Sequence, residues 1–220
     1  MKYRCVATTP EGFVQQVAVS YIRHGYWWYV SGRIPPGKDA EQIDQKLIEK
    51  YDINISERKR IARKKQGLAN MQYIRYQDFF LLLVSQGHHP IKQREKKQIR
   101  DCRRRPIKFR GYSISYRRSG VTPKGGGDPK WHSSVRIEPK TYREIKTYLL
   151  DRAKHRNVES LQGDFNQQLA FARYAPVRRQ IKTIHRAVNK VRVEAGFEEL
   201  AGNVVSYRYQ VVKPFGSNQH

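Results

Sequence analysis

The sequence predicts an α+β protein: a mixed or antiparallel sheet that carries several helices, with a long basic amphipathic helix near the C-terminus. Short runs of alternating or continuously apolar residues, bounded by Pro and Gly, occur in both halves and predict strands. Between residues 177 and 195 apolar residues recur at steps of three and four, which predicts a helix with one buried face. Because the apolar residues are patterned, we expect a folded chain although they make up only 38% of it.

The N-terminal part predicts three strands followed by a helix. Residues 2–7 and 12–22 show alternating polarity on either side of a turn sequence at residues 9–12, which predicts a hairpin. Residues 26–34 are rich in aromatics and predict a third strand. Asp39 then begins a helix, because a glutamine three residues later gives capping-box spacing.

The middle of the chain predicts a pair of strands flanked by basic segments. The strands cover residues 71–76 and 79–84, and the basic segments at residues 56–66 and 91–102 favour helix. Further along, the alternation of apolar and polar residues resumes one position out of phase after Gly111. A glycine at such a phase change predicts a β-bulge.

The C-terminal part predicts a strand, three helices and a closing strand. The strand covers residues 131–137, the helices 141–155, 158–172 and 177–195, and the closing strand 204–212. The domain organisation that follows is an N-terminal α+β half at 1–119, a Gly-rich loop at 120–130 and a C-terminal strand–helix half at 131–220. The two halves could form one continuous domain.

Charge is the strongest indication of function. The 220 residues carry 44 Lys and Arg against 19 Asp and Glu, a formal net charge of +25. Such an excess makes a folded chain repel itself unless a polyanion is bound, and nucleic acid is the commonest polyanion. Both halves of the chain carry the excess. We therefore expect the folded part, and not a detachable tail, to bind.

Several classes of protein do not fit the composition. Cys5 and Cys102 are the only cysteines, which is too few for a four-thiolate zinc site or a disulfide framework, so we expect free thiols and a cytoplasmic protein. The longest apolar run, at residues 79–84, is far too short to span a membrane. No phosphate-binding loop or carboxylate cluster is present at a recognisable spacing, so we expect no cofactor and no metal.

Three basic segments are predicted to contact phosphates. In the first two the positive residues follow one another closely, and in the third they form a stripe opposite the apolar face of the long helix. Arginine predominates in the second, which suits planar contact with phosphates or bases. The predicted contact residues are Arg58, Arg60, Arg63, Lys64 and Lys65 in the first segment, Lys96, Lys97, Arg100, Arg103, Arg104, Arg105, Lys108, Arg110 and the adjoining Tyr112 in the second, and Arg178, Arg179, Lys182, Arg186 and Lys190 in the third.

Aromatic residues adjoin these segments. Tyr112 and Tyr116 follow the second one and could either stack on unpaired bases or face the core at period two. Residues 26–29 are all aromatic, and on a strand at least one pair of them must face away from the core or into a second packing layer. Stacking on unpaired bases would favour structured RNA over plain duplex DNA.

The sequence leaves open whether the protein is an enzyme. Candidates for general acid–base catalysis are His88, His89 and His132, and Asp128 beside the Gly-rich loop could bind a metal. A surface or phosphate-contacting role is the other interpretation of each histidine. No carboxylate set at recognisable spacing accompanies them.

The function predicted from these observations is binding of an extended phosphate backbone of RNA or DNA, with structured RNA slightly favoured. The protein would be an accessory subunit of a ribonucleoprotein or mobile-element system, where it could also have a protein partner. The alternative is a small nuclease, either a DNA endonuclease of a mobile element or an RNA-processing endoribonuclease.

Overall fold

The computed structural model describes residues 3–118, 126, 130–204 and 211–216. Over these residues it contains seven α-helices and two antiparallel sheets of four and three strands, with 44% helix and 20% strand, which confirms the predicted α+β class. The helices are α1 (Pro10–Gln15), α2 (Ala40–Lys50), α3 (Glu57–Lys65), α4 (Ile91–Arg94), α5 (Pro139–Ala153), α6 (Val158–Gln168) and α7 (Ala175–Glu194). The strands are β1 (Trp28–Arg33), β2 (Met71–Tyr76), β3 (Phe79–Val84), β4 (Arg100–Asp101), β5 (Ile107–Phe109), β6 (Tyr112–Arg118) and β7 (Trp131–Ile137).

The chain divides into two compact units. The first unit comprises residues 1–107, 114–134 and 212–220, and the second comprises residues 108–113 and 135–211. Most of the predicted Gly-rich loop at 120–130 and of the predicted closing strand at 204–212 lies outside the described residues.

The first unit contains the four-stranded sheet, in the order β2–β3–β1–β4 with every pair antiparallel. Strands β2 and β3 form a hairpin with the bounds that the sequence predicts. Its turn places Gln77 in the left-handed region at φ 52°. The basic segment at residues 91–102, predicted as a helix, forms only the short α4 before β4 pairs with β1. The sheet therefore has an edge strand within a segment that the sequence predicted to be helical.

Both faces of this sheet are covered, which explains why β3 is apolar at successive positions. Leu81 and Leu83 are buried on the face opposite Leu82. On their side α1 packs beside β2, and the ring of Phe13 meets Phe79 edge-on with 5.9 Å between centroids. The other face carries a cluster of buried residues, which are Cys5, Val30, Tyr51, Ile53, Ala69, Met71, Tyr73, Leu82, Val84 and Ile91.

The predicted N-terminal hairpin is wrong, because residues 10–24 are helical throughout. The turn-like sequence at residues 9–12 is a helix start: the Thr9 hydroxyl accepts a hydrogen bond from the Gly12 N–H at 3.0 Å, and Pro10 occupies the first helical position. The buried residues come in pairs four positions apart, which is a helical period. These pairs are Phe13 with Val14, Val17 with Ala18, and Tyr21 with Ile22.

The predicted bulge at Gly111 is a tight hairpin turn between β5 and β6. Arg110 and Gly111 both lie in the left-handed region, at φ 42° and 76°. Positive φ at both central residues is the signature of a two-residue type I′ turn, whose twist matches that of the flanking strands. The change of phase in the sequence therefore marks a reversal of chain direction.

The second unit contains α5, α6 and α7, of which α5 contacts both of the others. The predicted face of α7 is confirmed, since Val177, Ile181, Ile184 and Val188 are fully buried. Sequence periodicity did not predict the burial of Arg192, whose side chain is only 1% exposed. Its guanidinium donates to the backbone oxygens of Ala153, Arg156 and Glu198. The first of these oxygens belongs to the last residue of α5, where helix carbonyls lack partners within the helix.

Truncation of Ile184 to alanine is expected to lower the free energy of unfolding by about 2–5 kcal/mol, because the side chain is fully buried among apolar neighbours. Arg186→Ala, an exposed position on the same helix, should change it by less than about 0.5 kcal/mol. Urea denaturation followed by far-ultraviolet circular dichroism measures both. Equal losses in the two variants would show that the faces of α7 are assigned wrongly.

Candidate nucleic-acid interface

Four aromatic residues of the first unit form a continuous row. The rings of Trp27 and Tyr116 are stacked with 5.2 Å between centroids and 23° between planes. Tyr116 stacks in turn on Trp131, at 5.6 Å and 18°. Trp28 adjoins Trp27 at 6.2 Å in a tilted arrangement. We call these four residues the aromatic row.

The row begins within the four-aromatic run at residues 26–29. Tyr26 and Tyr29 are buried while the adjacent Trp27 and Trp28 are half-buried, and Trp28 packs against the core cluster, so burial in this run does not follow the alternation of a strand. The Trp27 indole donates to the backbone oxygen of Ile22 at 3.2 Å, which fixes the orientation of its ring. On the buried side the Tyr29 hydroxyl donates to the Arg105 backbone oxygen at 3.0 Å, and burial raises the pKa of Tyr29 to about 12.

Cations lie over both ends of the aromatic row. The Lys92 Nζ is 4.0 Å from the ring centroid of Trp28, and the Arg103 guanidinium carbon is 4.6 Å from that of Trp27. At the other end the Arg118 guanidinium carbon is 5.8 Å from the centroid of Trp131. Cations at such distances are attracted by the negative face of an aromatic ring. The aromatic row thus has positively charged side chains at both of its ends.

Two of these cations are held by the fold. Lys92 Nζ donates to the Gly87 backbone oxygen at 2.7 Å, and burial lowers the pKa of Lys92. Arg103 donates hydrogen bonds to the Asp101 carboxylate from Nη2 at 2.7 Å and from Nε at 3.0 Å. Burial alone would raise the pKa of Asp101, but its hydrogen bonds from Arg103 outweigh burial and lower it. These contacts position the two cations beside the rings.

Some positive residues of the first basic segment make contacts within the fold, and the others are exposed on the surface. Arg60 donates to the backbone oxygens of Ile53 at 2.7 Å and of Met71 at 3.0 Å, so its guanidinium is engaged within the fold. Arg63 forms an ion pair with Asp52 at 3.4 Å. Arg58, Lys64 and Lys65 are exposed on α3.

The prediction that Tyr112, beside the second basic segment, contacts nucleic acid is wrong, because its side chain is buried. Tyr112 is only 3% exposed: its hydroxyl accepts from the Ala172 N–H at 2.8 Å, and its ring meets Phe171 edge-on. It belongs to the core of the second unit and cannot stack on a base. Lys108, in the same unit, forms an ion pair with Glu138 at 2.5 Å. Arg110 is exposed in the hairpin turn.

The remaining predicted residues of the second segment lie in the first unit. The half-buried Arg100 donates to the backbone oxygen of Lys97 at 3.2 Å. Lys96, Lys97, Arg104 and Arg105 are exposed. Several exposed positive residues of the first unit have no ion pair within the described part of the chain. One set of them lies on α3, between residues 94 and 105, and at the end of β6. We call this set the open cations; they are Arg58, Lys64, Lys65, Arg94, Lys96, Lys97, Arg104, Arg105 and Arg118.

The third basic segment is the outer face of α7 in the second unit. Arg179, Lys182, Arg186 and Lys190 are exposed, and Arg178 is half-buried. Lys190 lies 3.8 Å from Glu194, an exposed pair of the kind that contributes little to stability. The predicted stripe therefore exists on the surface of this unit.

The candidate catalytic residues show different environments. His89 is buried, and its Nδ1 accepts the Ile91 N–H at 3.2 Å. Burial lowers the pKa of His89, and the nearby positive charge of Arg63 lowers it further. His88 and His132 are exposed, while Asp128 lies outside the described residues. Within the described ranges no group of three or more His, Cys, Asp or Glu side chains is placed to hold a metal ion.

Asp44, one partner of a buried ion pair, lines a cavity of the first unit with a volume of ≈ 710 Å³. Asp44 is 4% exposed and accepts from Arg75 Nη2 at 2.8 Å and from the Tyr73 hydroxyl at 2.5 Å. The hydrogen bond with Asp44 raises the pKa of Arg75. The Cys5 thiol lies 3.8 Å from the same carboxylate. Asp44 is therefore occupied by partners within the fold.

Comparison with known proteins does not assign a function. No protein-family model matches the sequence, and no curated protein matches it. Among the helices of the described residues, none combines the length and the apolar character needed to cross a membrane. Both described cysteines are free thiols and both are buried. The aromatic row and the charges around it are therefore the features of the described residues that bear on function.

Proposed function

We propose that the protein binds nucleic acid through its first unit, where the open cations neutralise phosphates beside the aromatic row. The observation that carries this proposal is the presence of both features in one compact unit. Phosphate contacts supply most of the affinity of such proteins, and aromatic rings supply contacts with bases.

The charges favour a polyanion over a small ligand. The open cations come from α3, from the segment around α4 and β4, and from the end of β6. Contacts distributed over several elements suit a chain of phosphates, whereas a single anion needs convergent donors. The stripe on α7 would provide further phosphate contacts from the second unit.

Structured RNA with unpaired segments is the favoured partner within this proposal. Sequence-selective RNA recognition depends on unpaired bases stacked on aromatic side chains or on guanidinium planes. The aromatic row with Arg103 and Arg118 has both kinds of group. An accessory role in a cytoplasmic ribonucleoprotein or mobile-element system, with or without a protein partner, completes the proposal.

The test is a pair of charge reversals. Replacing Arg104 and Arg105 by Glu is expected to weaken binding of a labelled structured RNA by about 10²-fold in 0.1 M salt, because each lost phosphate contact costs close to tenfold there. Both side chains are exposed, so the fold should survive. Fluorescence anisotropy measures the affinity, and circular dichroism checks the fold.

The matched control reverses Arg143 and Lys154, which are exposed cations on and just after α5. It changes the net charge by the same amount outside the proposed interface and should weaken binding much less. Equal losses in the two variants would mean that only overall charge matters. Specific cleavage of the labelled RNA by wild-type protein would support the nuclease alternative.

A further inference from the structure

Trp131 ends the aromatic row and is the ring of that row with the greatest exposure. Its side chain is 43% exposed, whereas Trp27, Trp28 and Tyr116 are half-buried. One of its faces is stacked on Tyr116. An exposed apolar side chain alone is ordinary, but this one terminates a stack of nearly parallel rings.

We infer that Trp131 is a stacking site for one unpaired nucleobase, so that the first unit takes a single-stranded segment of nucleic acid. This inference rests on the proposed function and specifies its substrate class. A base that displaces the Arg118 guanidinium, whose carbon lies 5.8 Å from the Trp131 centroid, would continue the stack of Trp27, Tyr116 and Trp131, whose planes differ by only 23° and 18° from ring to ring. Planar rings of this size gain most from such offset parallel contact.

The charges around the row complement a strand that follows it. Arg118 lies over Trp131, and Lys92 and Arg103 lie over the tryptophans at the opposite end. A strand that stacks one base on Trp131 and continues along the row would meet positive charge at both ends. The carboxylate of Asp101, next to Arg103 in this region, is already bound by that guanidinium at 2.7 Å. Electrostatic complementarity therefore favours a phosphate backbone over an apolar or basic peptide.

The inferred contact requires an unpaired base. In a duplex both faces of each internal base are covered by neighbouring bases, so a side chain can stack only on bases that are unpaired or splayed out. Stacking also tolerates any base, because every base has a π-face. We therefore expect selectivity for strandedness and little selectivity for sequence at this position.

The experiment compares three probes of equal phosphate number: a single-stranded uridine homopolymer, the same strand without bases, and a hairpin duplex. Wild-type protein should bind the homopolymer more tightly than the abasic strand. Trp131→Ala should weaken homopolymer binding about 5- to 150-fold, the loss of one base–aromatic stack, and leave abasic binding unchanged. Val19→Ala, a truncation of an apolar side chain of the same unit that is 40% exposed and lies outside the proposed interface, is the matched control and should leave all three affinities unchanged.

A second variant protects the test against misfolding. Trp131→Phe keeps a ring at this position and should retain most of the homopolymer affinity. Quenching of tryptophan fluorescence by the bound homopolymer should nevertheless decrease, because the stacked indole has been removed. Full quenching in this variant would overturn the inference.

The outcomes separate the inference from the proposed function. If wild-type protein binds the homopolymer and the abasic strand equally, or if Trp131→Ala has no effect on homopolymer affinity, the stacking site is overturned while phosphate binding stands. If none of the three probes binds, the proposed function itself fails.

Discussion

Nucleic-acid affinity is expected to fall about 10³–10⁵-fold between 50 and 200 mM salt, because an interface of this kind should contact about 6–10 phosphates. Each contact displaces condensed counterions, so the logarithm of the binding constant should fall linearly with the logarithm of the salt concentration. The open cations are numerous enough for such an interface within the first unit alone. Titrations of a labelled single strand at several salt concentrations give the slope.

The slope also tests which residues make the contacts. Removing two of the open cations, Lys96 and Lys97, by substitution with Gln should reduce the slope by about two phosphate equivalents. The same substitution of Arg143 and Lys154 in the second unit should leave it nearly unchanged. A flat salt response of the wild-type protein would contradict backbone neutralisation as the source of affinity.

Asp44→Ala is expected to lower the free energy of unfolding of the first unit by about 3–5 kcal/mol, because it leaves a buried guanidinium without its partner. Asp44 accepts hydrogen bonds from Arg75 at 2.8 Å and from the Tyr73 hydroxyl at 2.5 Å, and all three residues are buried. Removal of the carboxylate therefore strands two buried donors at once.

Tryptophan emission is the measurement suited to Asp44→Ala. Trp27, Trp28 and Trp131 all belong to the first unit, so their emission follows unfolding of that unit, whereas α5, α6 and α7 contribute helical signal from the second. Glu49→Ala removes an exposed carboxylate from the same helix and should change stability by less than about 0.5 kcal/mol. A loss below about 1 kcal/mol for Asp44→Ala would show that the pair is not the buried network described above.

Local sequence patterns predicted those helices and strands whose own residues show a clear periodicity, a β-forming composition or a capping residue. Strand β3 follows from its unbroken apolar run, and β2 follows from Tyr73, Ile74 and Tyr76 before a short turn. The buried face of α7 follows from its period, and the start of α2 follows from Asp39, whose carboxylate accepts the Glu41 N–H at 2.8 Å. In each of these cases tertiary contacts agree with the local preference.

The errors arose where one pattern fits two structures or where a partner is distant in sequence. Residues 12–22 contain apolar residues close enough together to suggest alternation, yet their buried pairs repeat every four positions. The burial of Arg192 depends on the backbone oxygens of Ala153, at the end of α5, and of Arg156, which are 39 and 36 residues away in sequence. No local period indicates contacts over that separation.

The candidate site was predicted only in part for the same reason. Charge indicated the basic segments, but it could not show that Arg60 serves the fold or that Arg104 remains open. Trp131 has the strand phase of the buried Val135 and Ile137, so alternation alone would place it in the core. Its exposure and its stacking on Tyr116 emerge only when β6 and β7 are folded together.

Gln180 has a consequence for association between copies of the chain. Its side-chain amide accepts the Ile137 N–H at 2.8 Å and donates to the Ile137 backbone oxygen at 3.1 Å, as a neighbouring strand would. Strand β7 lies at the edge of its sheet, and an open edge is a template for a strand from another molecule. The net charge of +25 keeps free copies apart, but a bound polyanion would cancel much of that repulsion. The amide contact does not depend on charge, so it would keep this part of the edge unavailable for strand pairing even if copies were brought together on the proposed nucleic-acid partner.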